Sequence, residues 1–355
     1  MTSQTNEPAL ERAIEQALTG TKREELTEAK GSANPTSSAD ALNPQAHDGQ
    51  AEYGPGEGYY LGLSEDFDWD YVIDEKRFWH FLESTQAEEL KKLQRSGDWK
   101  LKIVQRYDRM VKKYGLLRLL RKGLEVEDAH FTLFYELPLA SSSQRVQQRF
   151  EQNEFSVTRQ VFFNREQPRQ SIDMVIFLNG MAIATLELKN HWTGQNARVH
   201  GQRQYKRRDH RQPIFQFGRC IVHMTVDTDE VYMTTRVNGN STYFLPFNQG
   251  YNHGKGNPVN PFGHRSAYLW EEVFRRESLA NLLQHFVRFD GKAKDPLSSK
   301  TLFFPRYHQM DVVRKVVAHT RENGVGHTYL IQHSAGSGKS YSITWAAYQL
   351  IEVYL

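Results

Sequence analysis

The chain has 355 residues, of which 39% are hydrophobic and 12% aromatic, and this composition excludes a fibrous or wholly disordered protein. A mean hydropathy of −0.67 and the lack of a long apolar run exclude a membrane-spanning helix. The single cysteine, Cys220, excludes a disulfide framework and a cysteine-based zinc site. The first residues lack the basic start and apolar block of a secretory signal, so we expect a cytoplasmic protein without membrane contact.

The net charge of +3 conceals an uneven distribution along the chain. Residues 1–55 carry nine acidic and four basic side chains. Residues 91–122 carry twelve Lys or Arg against two Asp, and residues 198–211 carry six against one. Such clusters favour a polyanionic partner, whereas the alternative for each cluster is a solvated helical face. Charge alone does not decide between them.

The predicted elements, taken in chain order, indicate an α/β protein. Apolar periodicity predicts helices over residues 9–18, 74–94, 100–121 and 268–288. Alternating or continuous apolar runs between His130 and Phe247 predict a set of strands. Polar stretches rich in small residues predict linkers over residues 19–58, which we expect to be disordered, and 291–300. Residues 329–354 then predict a strand, a loop and a helix.

Residues 172–190 predict a β-hairpin around Asn179-Gly180. The apolar residues occupy even positions in both runs, from Ile172 to Leu178 and from Ala182 to Leu188. If both sets face one core, the two residue numbers of each cross-strand pair must add up to an even number. A two-residue turn would give an odd sum, so we expect a three-residue loop, 179–181, with a bulge.

The predicted register sets Asp173 opposite Glu187, with Lys189 two residues along the same face. Facing carboxylates repel each other unless a proton or a cation lies between them. A divalent metal ion is the simplest explanation. The alternative is a solvated hairpin face with one Glu–Lys neighbour pair, which would contribute little to stability.

This arrangement, Asp-x13-Glu-x-Lys on a hairpin, resembles the PD-(D/E)xK nuclease core. The resemblance implies that Asp173, Glu187 and the carbonyl of Leu188 bind Mg²⁺ and that Lys189 is catalytic. It implies an acidic residue on the first helix, for which Glu11 and then Glu15 are the candidates. It also implies DNA contacts by a Gln-x-x-x-Tyr motif, here one residue short, which leaves Gln202 or Gln204 open beside Tyr205. Arg208 and its basic neighbours would contact phosphates, while the alternative for Tyr205 is a tyrosine that caps the core.

The segment HSAGSGKS at 333–340 has the pattern of a Walker A loop between a strand and a helix. Backbone N–H groups around the glycines would contact phosphates, Lys339 would reach the β- and γ-phosphates, and Ser340 would bind Mg²⁺. The predicted nucleotide-binding residues are Gly336, Ser337, Gly338, Lys339 and Ser340. His333 replaces the first glycine, a departure that helicases of superfamily 2 tolerate, and the alternative is a chance Gly-Ser loop. A Walker B motif would lie beyond Leu355, so we expect this chain alone not to hydrolyse ATP.

A nuclease core followed by a helicase-type Walker A loop resembles the restriction (R) subunit of type I restriction–modification enzymes. FSVTRQVFF at 155–163, DTDEVYMTT at 227–235 and FFPRYHQ at 303–309 also resemble that family, and Gln309 resembles the helicase Q-motif residue that reads adenine. The resemblance implies a restriction-endonuclease-like mixed sheet flanked by helices, followed by the start of a RecA-like helicase domain. The implied divisions are a short helix and linker at 1–59, a nuclease domain at 60–290, a linker at 291–300, and an incomplete motor at 301–355.

The resemblance implies a DNA endonuclease that uses Mg²⁺ and, in the complete motor, ATP. Its implied partners are DNA and the methyltransferase and specificity subunits of a type I complex. Two other functions stay open: a fragment of an ATP-dependent DNA translocase whose hairpin is only structural, and an inactive fragment that binds DNA or a partner.

Overall fold

The computed structural model describes residues 7–21, 23, 58–95, 97–190, 193–292 and 294–353. Most of the linker predicted at 19–58 therefore lies outside the described residues. Ten α-helices occur in the described part of the chain: α1 (Glu7–Thr19), α2 (Glu75–Thr85), α3 (Ala87–Leu93), α4 (Trp99–Tyr114), α5 (Leu116–Lys122), α6 (Gln144–Glu151), α7 (Gln202–Arg207), α8 (Arg276–Asn281), α9 (Tyr307–Asn323) and α10 (Lys339–Glu352). None of them is long and apolar enough to cross a membrane.

Thirteen strands occur in the same ranges: β1 (Tyr60–Leu61), β2 (Phe67–Asp68), β3 (Ile73–Asp74), β4 (Leu124–Val126), β5 (Ala129–Phe131), β6 (Phe155–Phe162), β7 (Ser171–Leu178), β8 (Met181–Leu188), β9 (Val222–Val226), β10 (Val231–Thr234), β11 (Leu245–Pro246), β12 (Arg288–Asp290) and β13 (Thr301–Phe303). A central sheet of nine strands runs in the order β1-β6-β7-β8-β9-β10-β11, with β3 paired to β8 and β2 paired to β3. The β1–β6 and β8–β9 pairs are parallel and the others antiparallel. The mixed sheet flanked by helices matches the predicted fold class.

Both faces of the central hairpin are buried, and each belongs to a different core. Met174, Ile176 and Leu178 lie in the larger core, which includes the apolar faces of α1, α2 and α4. Val175 and Phe177, which point the other way, lie in a smaller core with Tyr205 and Phe215. The alternation follows from the period of two along a strand. The face with Asp173 and Glu187 is the one that carries the smaller core.

The turn of this hairpin differs from the prediction. Leu178 pairs with Met181, so the loop has two residues, Asn179 and Gly180, both with positive φ. A bulge beside Ile183 then shifts the register, so that Phe177 pairs with Ala182 but Ile176 pairs with Ala184. The predicted three-residue loop was wrong, and Ala182 faces the smaller core. The predicted even sum nevertheless holds beyond the bulge, down to Met174 opposite Leu186.

The long helices predicted at 74–94 and 100–121 are each divided in two. Gln86 separates α2 from α3, and Gly115, with a φ of 81°, separates α4 from α5. A side chain at Gly115 would overlap the ring of Phe289, because an added Cβ would lie 2.6 Å from the Phe289 Cζ atom. The glycine therefore permits both the bend and the close packing of β12 against it.

The C-terminal segment packs on the rest of the molecule, but the strand predicted at 329–331 was wrong. The described residues 324–338 form no strand, and Leu330 is 95% exposed. Since no neighbouring strand pairs with this run, its backbone lacks the partners that a strand requires. The structure thus does not show the predicted start of a RecA-like domain. Strands β12 and β13 pair across residues 291–300, and the division into domains stays a prediction.

Candidate active site

Two carboxylates and a lysine meet where β7 and β8 leave the hairpin. The paired register ends at Met174 opposite Leu186, and Asp173 and Glu187 are the next residues of the two strands, close enough to affect each other's pKa. Asp173 Oδ2 accepts a hydrogen bond from the Leu188 N–H at 2.7 Å and lies 3.9 Å from Lys189 Nζ. The sequence therefore folds into the predicted arrangement of Asp173, Glu187 and Lys189.

Glu187 is fully buried, and its two carboxylate oxygens differ in their surroundings. Oε1 accepts hydrogen bonds from Arg208 Nη2 at 2.6 Å and Nε at 3.2 Å. Oε2 is buried and has no hydrogen-bond partner among the described residues. A buried oxygen without a donor or cation is costly, so this atom marks a position where a ligand would be stabilising.

Burial raises the pKa of both carboxyls; the charge of Asp173 raises that of Glu187 further, whereas a hydrogen bond with Glu187 opposes the rise at Asp173. For Glu187, burial first and the charge of Asp173 second raise the pKa to about 8, against the opposing effect of Arg208. For Asp173, burial raises the pKa, while Lys189 and the Leu188 N–H oppose the rise. In the absence of a cation, the pair therefore tends to hold a proton near neutral pH.

Helix α1 contributes further carboxylates beside this pair. Glu7 Oε1 lies 3.4 Å from Lys189 Nζ, and Glu11 accepts hydrogen bonds from Arg159 at 2.9 Å and Gln160 at 2.6 Å. Burial raises the pKa of Glu11, and the charge of Asp173 contributes to the rise, which places Glu11 within electrostatic reach of the site. Glu15 instead pairs with Arg23 and Arg159. Between the two candidates, the geometry favours Glu11.

Sequence reasoning missed Glu7. The signal was present, because Glu7, Glu11 and Glu15 recur every four residues and such positions share one face of a helix. What the sequence lacked was the position of α1 over the end of β8, which is a tertiary contact.

Arg208 and Tyr205 do not have the exposed positions expected of DNA ligands. The side chain of Arg208 is 8% exposed and bonds Glu187 and, at 2.5 Å, the carbonyl of Ser171. Tyr205 is fully buried, and its hydroxyl lies 2.7 Å from Thr185 Oγ1, which also contacts His223. Both side chains make contacts within the protein in this structure, and direct DNA contact by Tyr205 and Arg208 stays a prediction. The geometry favours the alternative for Tyr205, a tyrosine within the core.

A cleft of about 390 Å³ opens beside the carboxylates. Lys189, Gln204 and Arg208 line it, together with the exposed Arg203 and Arg207 of α7. Gln202 does not line it, so of the two glutamines Gln204 has the position suited to a ligand in the cleft. Basic and amide side chains beside buried carboxylates can hold a phosphate group near a bound cation.

The donor set fits a divalent cation that prefers oxygen ligands. Asp173 and Glu187 offer carboxylate oxygens, of which Glu187 Oε2 lacks a partner, and Leu188 offers its carbonyl. That carbonyl accepts a hydrogen bond from Lys189 Nζ at 2.6 Å in this structure. Within the described ranges, no three His, Cys, Asp or Glu side chains form a metal-binding group, so any site here depends on two carboxylates and the backbone.

The predicted nucleotide loop is closed on itself. Lys339 Nζ donates to the carbonyls of His333 at 2.9 Å and Ser334 at 3.1 Å. Gln309 Nε2 donates to the carbonyls of Ser337 at 3.0 Å and Gly338 at 3.2 Å, so the predicted adenine reader contacts the loop itself. Gly338, with a φ of 81°, precedes α10, and Ser340 lies in its first turn. Nucleotide binding by Gly336, Ser337, Gly338, Lys339, Ser340 and Gln309 stays a prediction.

The fold and the site together define a mixed α/β protein with a buried carboxylate pair and a lysine at the end of a central hairpin. A family model described as the type I restriction enzyme R protein N terminus matches residues 63–242. The chain belongs to this family. A search of curated proteins finds no match. The matched residues include the central hairpin, α7 and the strands β9 and β10.

Proposed function

We propose that this chain carries the DNA-cleaving centre of a type I restriction R subunit, and that Asp173, Glu187 and Lys189 hydrolyse phosphodiester bonds with Mg²⁺. The observation that carries the proposal is the buried pair of facing carboxylates with one oxygen, Glu187 Oε2, left without a partner. The family match supports a role in a restriction system. Methyltransferase and specificity subunits are the partners that this role implies.

The chain's own residues divide the chemistry among them. Asp173, Glu187 and the Leu188 carbonyl would hold the cation, which when bound lowers the pKa of a water molecule and offsets charge on the phosphate. Lys189 Nζ, buried between Leu188 O and Asp173 Oδ2, is held at the edge of the cleft where it would contact a phosphate oxygen or the attacking water. Arg208 keeps Glu187 in one orientation through two hydrogen bonds.

Calorimetric titration of the full chain with Mn²⁺ or Mg²⁺ tests the metal site without any partner subunit. We expect saturable metal binding by wild type. The substitution Asp173→Asn should abolish it, because a charged ligand is replaced by a neutral side chain of the same shape. Asp128→Asn is the matched control, since Asp128 is exposed and lies in the turn between β4 and β5, which form a sheet separate from the central one. Equal binding by wild type and Asp173→Asn would contradict the proposal.

Two other outcomes would favour the other functions. Steeply salt-dependent DNA binding with no metal binding would favour an inactive DNA-binding fragment. Tight ATP binding that Lys339→Ala removes, again without a metal at the hairpin, would favour a translocase fragment. Of these two alternatives, the translocase fragment has less support, because Lys339 contacts the carbonyls of its own loop.

A further inference from the structure

A second and larger cleft, of about 870 Å³, lies between the α4–α5 bend and the segment that follows β12. It shares no lining residue with the cleft beside Asp173 and Glu187. Eight of its lining residues are Lys or Arg, and one, Asp295, is acidic. We call it the basic cleft. The fold thus brings part of the basic run 91–122 together with cations from residues 288–300.

The walls of the basic cleft are fixed by packing rather than by the charges. Arg121 donates to the carbonyls of Leu283 and Val287 at 2.6 Å and of Gln284 at 3.0 Å, so its charge ties α5 to the neighbouring backbone. Gly115 and Gly218 lie close against Phe289 and Leu297, where a Cβ would have no room. These contacts hold the walls of the cleft without any contribution from Lys113, Arg118, Lys122 or Lys294.

Four cations of the cleft have no carboxylate partner within the described part of the chain: Lys113, Arg118, Lys122 and Lys294. All four are exposed. Arg118 and Lys113 lie on the ring of Tyr114, at 4.5 Å and 4.9 Å from its centre. Arg118 and Lys122 are four residues apart and share one face of α5. These neighbouring cations repel one another because no carboxylate among the described residues offsets their charge. A bound polyanion would relieve this repulsion.

We propose that the basic cleft binds the phosphate backbone of duplex DNA at a place separate from the cleavage centre. The cations are distributed over α4, α5 and the segment after β12, as contacts to several successive phosphates require. A single phosphate or nucleotide would meet only a few of them. The choice of DNA as the polyanion rests on the proposed function. The presence of the cleft and its positive charge does not depend on it.

The test compares two quadruple variants of the full chain by fluorescence anisotropy with a short labelled DNA duplex. The cleft variant carries Lys113→Gln, Arg118→Gln, Lys122→Gln and Lys294→Gln. The matched control carries Arg95→Gln, Arg109→Gln, Lys255→Gln and Arg321→Gln, which remove the same charge from exposed positions outside the cleft. Arg109 lies in the same basic run and on the same helix as Lys113.

We expect the cleft variant to bind DNA at least about tenfold more weakly at low salt, with a slope of log affinity against log salt shallower by about three to four. The control variant should retain nearly the wild-type slope. Equal losses in both variants, or no binding of duplex by wild type, would overturn the proposal. Binding of inorganic phosphate that the duplex does not displace would overturn it too, because the cleft would then hold a small anion. Mn²⁺ titration of the cleft variant should be unchanged, so failure here is distinguishable from failure of the metal site.

Discussion

The guanidinium of Arg208 bonds one carboxylate oxygen of Glu187 through two nitrogens, at 2.6 and 3.2 Å. The pair connects the end of α7 to the C-terminal end of β8 and leaves the second oxygen of Glu187 without a partner among the described residues. Arg208 thus has two effects on a cation site. It favours the charged form of Glu187, and it places a positive charge beside the position that a cation would occupy.

These two effects predict opposite consequences for metal affinity on either side of the pKa of Glu187. Well above pH 8, where the carboxyl is ionised even though loss of Arg208 raises its pKa further, Arg208→Gln should tighten Mg²⁺ binding by roughly fivefold, because a nearby positive charge is gone. Near neutral pH this gain in Mg²⁺ affinity should shrink or reverse, because a proton then competes with the cation for Glu187. Calorimetry at both pH values measures the change. Arg207→Gln, an exposed neighbour, is the control, and weaker binding by Arg208→Gln at both pH values would show that Arg208 only supports the site.

The raised pKa of Glu187 predicts how stability depends on pH. With a native pKa of about 8 against an ordinary value of 4.5, the folded protein binds the proton more tightly than the unfolded chain. The contribution of Glu187 to the free energy of unfolding should therefore fall as pH rises from about 4.5 to 8 and then level off. Glu187→Gln should flatten this part of the profile and be more stable than wild type above pH 8. Urea unfolding across the range measures it.

The control for that profile is Glu125→Gln, because Glu125 is exposed on β4. Added Mn²⁺ should also reduce the decline in wild type and end it at a lower pH, since a cation stabilises the ionised pair in the folded protein. An unchanged profile in Glu187→Gln would mean that another group carries the pH dependence.

Tyr205 gives a prediction that separates a core role from DNA contact. Its hydroxyl bonds Thr185 and its ring packs against Phe215 and His223. Tyr205→Phe should lower the free energy of unfolding by about 1 kcal/mol, the usual contribution of one hydrogen bond, and leave DNA affinity unchanged. Tyr243→Phe, at a side chain that is 75% exposed, should change neither. Weaker DNA binding by Tyr205→Phe at unchanged stability would restore the family-based expectation.

The sequence predicted the facing carboxylates although it predicted the wrong turn. The buried positions of β7 and β8 required an even register near Asp173, and the chain satisfies this with a bulge at Ile183 instead of a longer loop. The bulge lets the chain keep both the two-residue Asn-Gly turn and the buried register. The environment of Glu187 was not predictable in the same way. Its pairing with Arg208 depends on where α7 packs, and the basic run around Arg208 suggested only exposed phosphate ligands.

The two-residue turn has its own test at Gly180. Its φ is 75°, and a Cβ there would lie 2.5 Å from the Phe78 nitrogen and 2.6 Å from the Asp74 carbonyl oxygen. Gly180→Ala should therefore cost the strain of a left-handed residue, about 1–2 kcal/mol, plus the displacement of α2. Gly194→Ala, at a similar φ of 72° but with no atom within 4 Å of its Cβ, should cost the strain alone. Urea unfolding of both variants measures the difference, and equal losses would mean that α2 moves away at little cost.

Lys189 supplies the most direct test of the proposed cleavage centre. Its amino group is held by Leu188 O at 2.6 Å and Glu7 Oε1 at 3.4 Å, near Asp173, so it is positioned without substrate. Lys189→Ala should reduce Mg²⁺-dependent DNA cleavage, assayed with the partner subunits, by at least about a hundredfold, the usual loss when one charged group that stabilises a transition state is removed. Metal binding and the circular dichroism spectrum should be retained, because Lys189 is not a metal ligand. Lys206→Ala on α7 is the control. Cleavage that persists in Lys189→Ala would show that the hairpin lysine is structural and that another cation contacts the phosphate.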